Sequence, residues 1–305
     1  MRRRRLRGLI AASAALLAVG CMPPPPPPRA ALPVPAPVYK VGEAFQAGPV
    51  WYYPREEWAY DETGLAIVAG PPDRPRLTDN GEPDDPTAMV AAHPTLQMPA
   101  IVRVTNLVNG RSVAVRVNDR GPAVAGRLIA LSPAAAAALA IGPAEPTAVR
   151  VTLLPEESRL VAAAARRAPG SGEVAPAAAP RPTVEIDGRA AMPTPDRRPL
   201  SATPTVPGSV LADGRFLPDP VVEERPIARA PRIFVEAGQF DRFVDANRLR
   251  AQLSGPWPSD VRQIAVGRAP AFAVRLGPLQ SVAEADGILL FTVERGQPNA
   301  RVVVD

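Results

Sequence analysis

A single cysteine (Cys21), a single histidine (His93) and a single lysine (Lys40) occur in 305 residues, and aromatic side chains make up only 5% of the chain. One His and one Cys cannot supply the ligand set of a usual zinc site. No phosphate-binding glycine loop of either standard type is present. Metal and nucleotide chemistry are therefore set aside, and no cofactor is expected. Acidic residues are missing from the start: none precedes Glu43, whereas Arg2, Arg3, Arg4, Arg5 and Arg7 crowd the first seven positions. Those five account for the whole formal charge of +5, because the remainder holds 30 basic and 30 acidic residues. With no basic stripe elsewhere, a nucleic-acid partner is not expected.

What is abundant is proline, 41 residues in clusters that mark connecting segments. After the arginines comes an apolar run over residues 9–19, too short to span a bilayer and of the length of a signal-peptide core. It ends in Leu17-Ala18-Val19-Gly20-Cys21, similar to the bacterial lipobox, with Ala18 where Leu is usual. In such a signal the Cys21 thiol is acylated and becomes the new N-terminus; the alternative is an ordinary secretory signal with an incidental Cys. Met22 in the second mature position, rather than Asp, implies outer-membrane retention, facing the periplasm. Residues 1–20 are thus expected to be a lipoprotein signal peptide. Residues 21–37, with a six-proline run, should be an extended tether.

Residues 38–154 read as the first globular domain. The stretch 101–106 alternates as a strand, Asn109-Gly110 is a hairpin signal, and 111–117 is the next strand. A period of two puts Val113, Val115 and Val117 on one face and Arg116 and Asn118 on the other. Ser132 and Pro133 open a helix that Gly142 should stop. Hairpins with one or two short helices predict a small mixed β-barrel. Residues 155–231, rich in Ala, Pro, Arg and Gly, are expected to be a disordered linker.

Residues 232–305 contain an internal repeat: Val235, Gly238, Phe240, Asp245, Ala246 and Leu249 reappear 39 positions on as Val274, Gly277, Leu279, Glu284, Ala285 and Ile288. Each copy reads strand, Gly turn, helix, and Ser281 with Glu284 makes a capping-box pattern. The predicted order β-α-β-β-α-β is a ferredoxin-like sheet with helices on one face. Glu236 and Arg275 are expected on the open face and Gln239 in the turn, polar groups placed where such a domain would bind something.

Three stretches of the first domain together resemble the rare lipoprotein A family. They are Tyr52-Tyr53-Pro54 through Tyr60-Asp61-Glu62-Thr63-Gly64; Thr78-Asp79-Asn80-Gly81-Glu82 with Ala91-Ala92-His93; and Val115-Arg116-Val117-Asn118-Asp119-Arg120-Gly121-Pro122. The repeat in 232–305 resembles the SPOR domain, which binds peptidoglycan strands stripped of stem peptides. The resemblance implies a mixed β/α+β architecture, a double-psi β-barrel followed by a SPOR domain. It implies a lytic transglycosylase of denuded glycan strands at the division septum, cleaving the MurNAc-GlcNAc β-1,4 bond to 1,6-anhydro ends, and makes cell-division proteins candidate partners. The family's functional positions map onto Glu82, His93 and Asp119, with Asn80, Asn118 and Arg120 beside them as candidate substrate-binding groups.

The chemistry suits those residue types. A carboxylic acid protonates the leaving oxygen, and the resulting carboxylate then takes the proton of the attacking hydroxyl. A useful acid at neutral pH needs a raised pKa, which Asp84, Asp85 and Asp119 would supply by like-charge repulsion if close to Glu82. Asp119 would stabilise developing positive charge or orient the sugar, with Arg120 restraining it. The chain departs from the family pattern in Leu65-Ala66-Ile67-Val68-Ala69-Gly70, which lacks a Trp-Tyr pair, and at Ala123 and Ala130, where Phe and Asp are usual. Those losses leave two other readings standing: a glycan-binding protein without activity on the same scaffold, and a two-carboxylate glycoside hydrolase of the related barrel type.

Overall fold

The computed structural model describes residues 37–70, 72, 74–167, 205–227, 229–266 and 269–305. The expected signal peptide, Cys21 and nearly all of the tether, like residues 168–204 of the expected linker, lie outside the described residues. No helix among the described residues is long and apolar enough to cross a membrane.

A short hairpin, β1 (Phe45–Ala47) and β2 (Val50–Tyr52), precedes the barrel. The barrel strands are β3 (Asp61–Val68), β4 (Val90–His93), β5 (Ala100–Asn106), β6 (Arg111–Arg120), β7 (Ile129–Leu131) and β8 (Thr147–Leu153). They run β6-β4-β7-β3-β8-β5, and β5 pairs back with β6, so the sheet closes. Two pairings are parallel, β3 with β7 and β4 with β6, and the rest antiparallel. Closure leaves no barrel edge unpaired among these strands.

The valine alternation explains the interior. Val113, Val115 and Val117 meet Val102, Val104, Val149 and Val151 inside, with Leu96, Met98 and Leu131. Each such side chain, fully buried, contributes roughly 1.5–3 kcal/mol. Helix α1 (Pro133–Ala138) closes one end, its first turn fixed by the Ser132 hydroxyl accepting from the Ala135 amide at 3.1 Å. The helix ends before the expected stop at Gly142, because Ala140 already has a positive φ of 54°.

The expected linker begins with regular structure instead. Helix α2 (Pro155–Arg167) has acids in its first turn, bases in its last, and buries Val161, Ala162 and Ala165. This is a dipole-matched sequence. The Ser158 hydroxyl clamps it to the barrel, accepting from the Ile101 amide at 2.9 Å and donating to the Ile101 carbonyl at 3.0 Å. Strands β9 (Gly208–Val210) and β10 (Phe216–Pro218) then form a hairpin, and β11 (Glu223–Glu224) pairs antiparallel with β6.

The C-terminal sheet has the expected order: β12 (Ile233–Phe240), α3 (Phe243–Gln252), β13 (Ser259–Val266), β14 (Ala269–Leu279), α4 (Val282–Glu294) and β15 (Arg301–Val304). Its strands are arranged β13-β14-β12-β15, all antiparallel. The repeat partners Val235 and Val274 share one core with Ala246, Leu249, Ala285 and Ile288. Ser281 caps α4 through the Glu284 amide, while the Glu284 carboxylate reaches the Gln280 amide.

Candidate active site

The residues that sequence singled out gather around one turn. Gly81, at a φ of 85°, lets the chain reverse between Thr78 and Glu82. The Gly81 amide donates to the Thr78 carbonyl at 2.9 Å, and the Thr78 amide donates to the Glu82 carbonyl at 2.7 Å. This turn aims the Glu82 side chain at the outer face of β6, where Arg116 and Asn118 stand on the same side of the strand. Asn80 Nδ2 donates to Glu82 Oε1 at 2.8 Å and Asn118 Nδ2 to Oε2 at 3.1 Å. Arg116 donates through Nη2 at 2.6 Å and through Nε at 3.0 Å to Oε1. Glu82 is 0% exposed and Arg116 1%.

This corrects the expected electrostatics. Burial pushes the Glu82 carboxyl up, but the Arg116 charge and hydrogen bonds, joined by Asn80 and Asn118, outweigh it, and the group titrates below the ordinary glutamate range. The carboxylates expected to raise it are otherwise engaged. Arg76 bridges Asp84, at 2.6 Å, and Asp119, at 2.8 Å, and Asp85 caps Thr87 locally.

Asp119 lies on the other flank of the same turn, its Oδ1 accepting from the Asp79 amide at 2.9 Å. A register shift between β4 and β6, where Ala91 faces Val117 and Ala92 faces Asp119, re-aims β6 at this point. Arg120 does not restrain Asp119 through its guanidinium, which donates to the carbonyls of His93, Leu96 and Val41. Arg76 takes that role.

His93 is fully buried in the barrel wall, where it faces Arg120 across the β4–β6 pair. Its Nδ1 accepts from the Thr95 and Leu96 amides, so Nε2 carries the proton and donates to the Tyr60 hydroxyl at 3.0 Å. Burial, with the nearby Arg120 charge, pushes its pKa down to about 3, so the ring is neutral.

In the C-terminal sheet, Glu236 faces Arg275 on one neighbouring strand and Arg301 on the other. It is 3% exposed, with Arg301 at 2.9 Å and Gln239 Nε2 donating at 2.8 Å. Arg301 continues to Glu62 of β3 at 3.0 Å, and Arg275 to Asp305 at 2.7 Å. Of the three residues expected to meet glycan, only Gln239 is exposed, and it lies within β12, paired with Ala273, rather than in a turn.

Sequence reasoning missed Arg116, Arg76 and Arg215, whose Nη1 stands 3.7 Å from Glu82 Oε2. An arginine within a run of valines was the available signal for Arg116. Among the described residues no group of His, Cys, Asp and Glu side chains is arranged to hold a metal ion.

A closed six-stranded barrel with two parallel pairings, carrying a buried carboxylate beside β6, is a double-psi β-barrel. The family model described as "Lytic transglycolase" matches residues 60–152. The protein named endolytic peptidoglycan transglycosylase RlpA from Pseudomonas aeruginosa strain PAO1 is 34% identical over 263 residues, 82% of this chain and 71% of that protein. The chain belongs to the RlpA family. Proteins of the same name from Yersinia pestis and Escherichia coli K12 are 54% and 49% identical over 77 residues, a quarter of this chain, which spans about a fifth (21%) of their length. The crystal structure of the RlpA SPOR domain from P. aeruginosa matches 23% of this chain and 96% of that one, at 22% identity and a TM-score of 0.22.

Proposed function

We propose that the protein is a lytic transglycosylase of the bacterial cell envelope that cleaves the MurNAc-GlcNAc β-1,4 bond of glycan strands. The observation that carries the reading is the Glu82 carboxylate fixed beside β6 by Arg116, Asn80 and Asn118 in a barrel of this family. In the reaction, Glu82 in its acid form gives its proton to the departing GlcNAc O4. The C1–O4 bond breaks as the MurNAc C6 oxygen bonds to C1, and the Glu82 carboxylate recovers the C6 hydroxyl proton. No water is consumed, and the product is a 1,6-anhydro end. Asp119 stabilises positive charge developing at C1, and Arg76 and the Asp79 amide hold it in place. Asn80 and Asn118 orient the acid. His93, with its hydrogen bonds inside the wall, supports the barrel between Tyr60 and the 95–96 segment.

Around this core, the reading extends to a lipid anchor on Cys21 in the outer membrane, a septal location and a C-terminal domain that takes denuded strands, with Gln239 as its accessible polar group. Cell-division proteins are the partners this location would bring. Mass analysis of products from purified, amidase-stripped peptidoglycan tests the reading: anhydro-terminated fragments are expected. Ordinary reducing ends would mean hydrolysis. No release at all would favour a binding protein on the same scaffold, a reading supported by the complete burial and ion pairing of Glu82.

A further inference from the structure

Residues 205–227 cross the outer face of β6, and one of their side chains, Arg215, reaches towards Glu82. The β9–β10 hairpin turns at Gly214, with the Leu211 amide donating to the Arg215 carbonyl at 2.8 Å. Asp213 fixes Arg215 by accepting from its amide at 3.0 Å and from its Nε at 2.6 Å. That leaves Arg215 Nη1 facing Glu82 Oε2 at 3.7 Å, with only 12% of the Arg215 side chain exposed. The Phe216 ring is buried with Ile101, Ala114 and Val161, and its carbonyl accepts from Arg116 Nη1 at 3.3 Å. Further on, Glu223 and Glu224 face Ser112 and Arg111 across the strand pair. The Arg225 amide donates to the Gly110 carbonyl at 3.0 Å, and a Cβ at Gly110 would lie 1.9 Å from the Arg225 carbonyl oxygen. A cavity of about 220 Å³ remains beneath the segment, lined by Arg103, Ala114, Leu154, Glu157, Val206 and Val221 among others.

A sugar needs this same ground. The Glu82 carboxylate faces the outer side of β6, and that side is closed by Phe216 and Arg215. We propose that residues 205–227 are a tethered competitive inhibitor lying in the glycan groove of the barrel. The Phe216 carbonyl holds the Arg116 donor that a sugar oxygen would otherwise take, and Arg215 stands where the scissile oxygen must approach Glu82. The proposal rests on Glu82 being the acid of the cleavage reaction. The segment is built to lift: its outer anchors are a two-residue strand and the exposed pairs Arg103–Glu223 and Arg111–Glu224, and exposed ion pairs contribute little and are screened by salt. Lifting also takes the Arg215 guanidinium away from its position 3.7 Å from Glu82 Oε2.

The test uses the full-length chain in detergent, with amidase-stripped glycan strands as probe. In Ser112→Cys/Glu223→Cys, oxidation locks the segment down. Turnover is expected to fall at least tenfold and to return with reductant. Replacing residues 207–219 by a Gly-Ser run of equal length is expected to raise kcat/KM at least fivefold, mainly through KM. Unchanged turnover in the oxidised protein overturns the proposal. If neither the wild type nor the replacement cleaves at all, the cleavage reading fails, and hydrogen exchange decides the inhibitor separately. Glycan strands should then deprotect the Arg225 amide, and protection unaltered by saturating glycan overturns the inhibitor too.

Discussion

Arg116 Nη2 lies 2.6 Å from Glu82 Oε1, and both side chains are closed off from solvent, at 2% and 0% exposure. A buried pair of this kind is costly to break one-sidedly, because the surviving charge is left without a partner. Glu82→Gln is therefore expected to abolish cleavage and also to destabilise the barrel by about 3–5 kcal/mol. Arg116→Met should cost a similar amount. The double variant Glu82→Leu/Arg116→Met should recover most of that loss while staying inactive. Urea denaturation of the four proteins checks this; a loss in the double variant equal to the sum of the two single losses would show the pair to be uncoupled.

Acid should loosen this fold from two places. His93 is held neutral with a pKa of about 3 against an ordinary value of 6.5. Between those values the unfolded chain binds a proton that the folded chain refuses, so stability is complete above about pH 6.5 and falls as pH drops toward 3. The slope from this one group is at most about 1.4 kcal/mol per pH unit. Glu82 adds to it in the same direction: its depressed pKa contributes stability above the unfolded value of 4.5 that is lost as pH falls through the folded value. His93→Gln should lower stability at pH 7.5 yet flatten its decline between pH 6.5 and 4.5. A decline as steep as the wild type's would remove His93 as its cause.

Much of this was legible in the chain. Period-two valines in residues 101–117 gave the barrel strands, Ser132 and Ser281 marked helix starts, and the 39-residue repeat gave the C-terminal topology because both copies bury the same positions. The setting of Glu82 was not legible. Alternation puts Arg116 opposite the valine face, but whether that face meets solvent depends on a segment 100 residues away, whose Phe216 carbonyl takes the Arg116 Nη1 donor. Helix α2 was missed for another reason. Its Pro155-Glu156-Glu157 start and Arg166-Arg167 end are helix signals, submerged in the Ala, Pro and Arg bias of the longer window. The burial of Glu236 also escaped, since Arg301 and Glu62 join it from distant parts of the chain.

Asp119 has a different kind of setting, with 15% of its side chain exposed, and is held by an arginine that is itself 51% exposed. Asp119→Asn is expected to lower kcat by roughly 10²–10³, as loss of a preorganised electrostatic group does, with stability changed by less than about 1 kcal/mol. Arg76→Ala should lower kcat less, since the Asp79 amide still holds the carboxylate. Single-turnover release of anhydro fragments measures both. A wild-type rate in Asp119→Asn would take that residue out of the reaction.

If Cys21 is acylated, Cys21→Ser should move the protein from the outer-membrane fraction to the soluble periplasmic fraction. Several acyl chains on one residue anchor firmly, whereas a single myristoyl-class chain binds only marginally. Retention of the variant in the membrane at high salt would mean that something other than lipid holds it there.

The C-terminal sheet is joined to the barrel through contacts that a single substitution should open. Arg127 grips Asp286 with both terminal nitrogens, at 2.6 and 2.7 Å. Beside it, Gly126 has a φ of 75°, and a Cβ there would fall 2.9 Å from Leu289 Cδ2 and 3.1 Å from Val302 Cγ2. Strand β15 lies along β3 nearby, with the Val304 amide donating to the Thr63 hydroxyl at 3.2 Å. Leu65 and Val50 of the barrel side complete the apolar part of this junction with Leu289 and Val302. Gly126→Val adds bulk at the seam and backbone strain, so it should separate the two domains while each keeps its own core. Arg127→Ala should loosen the junction by about 1.5–3 kcal/mol, the range for a hydrogen bond to a charged group. Hydrogen exchange at the Val304 amide reads the separation directly. Faster exchange there, with Val149 and Val274 still protected, is the expected pattern; uniform loss of protection would mean that the substitution unfolds the chain, and unchanged exchange at Val304 would mean that the junction does not depend on Gly126.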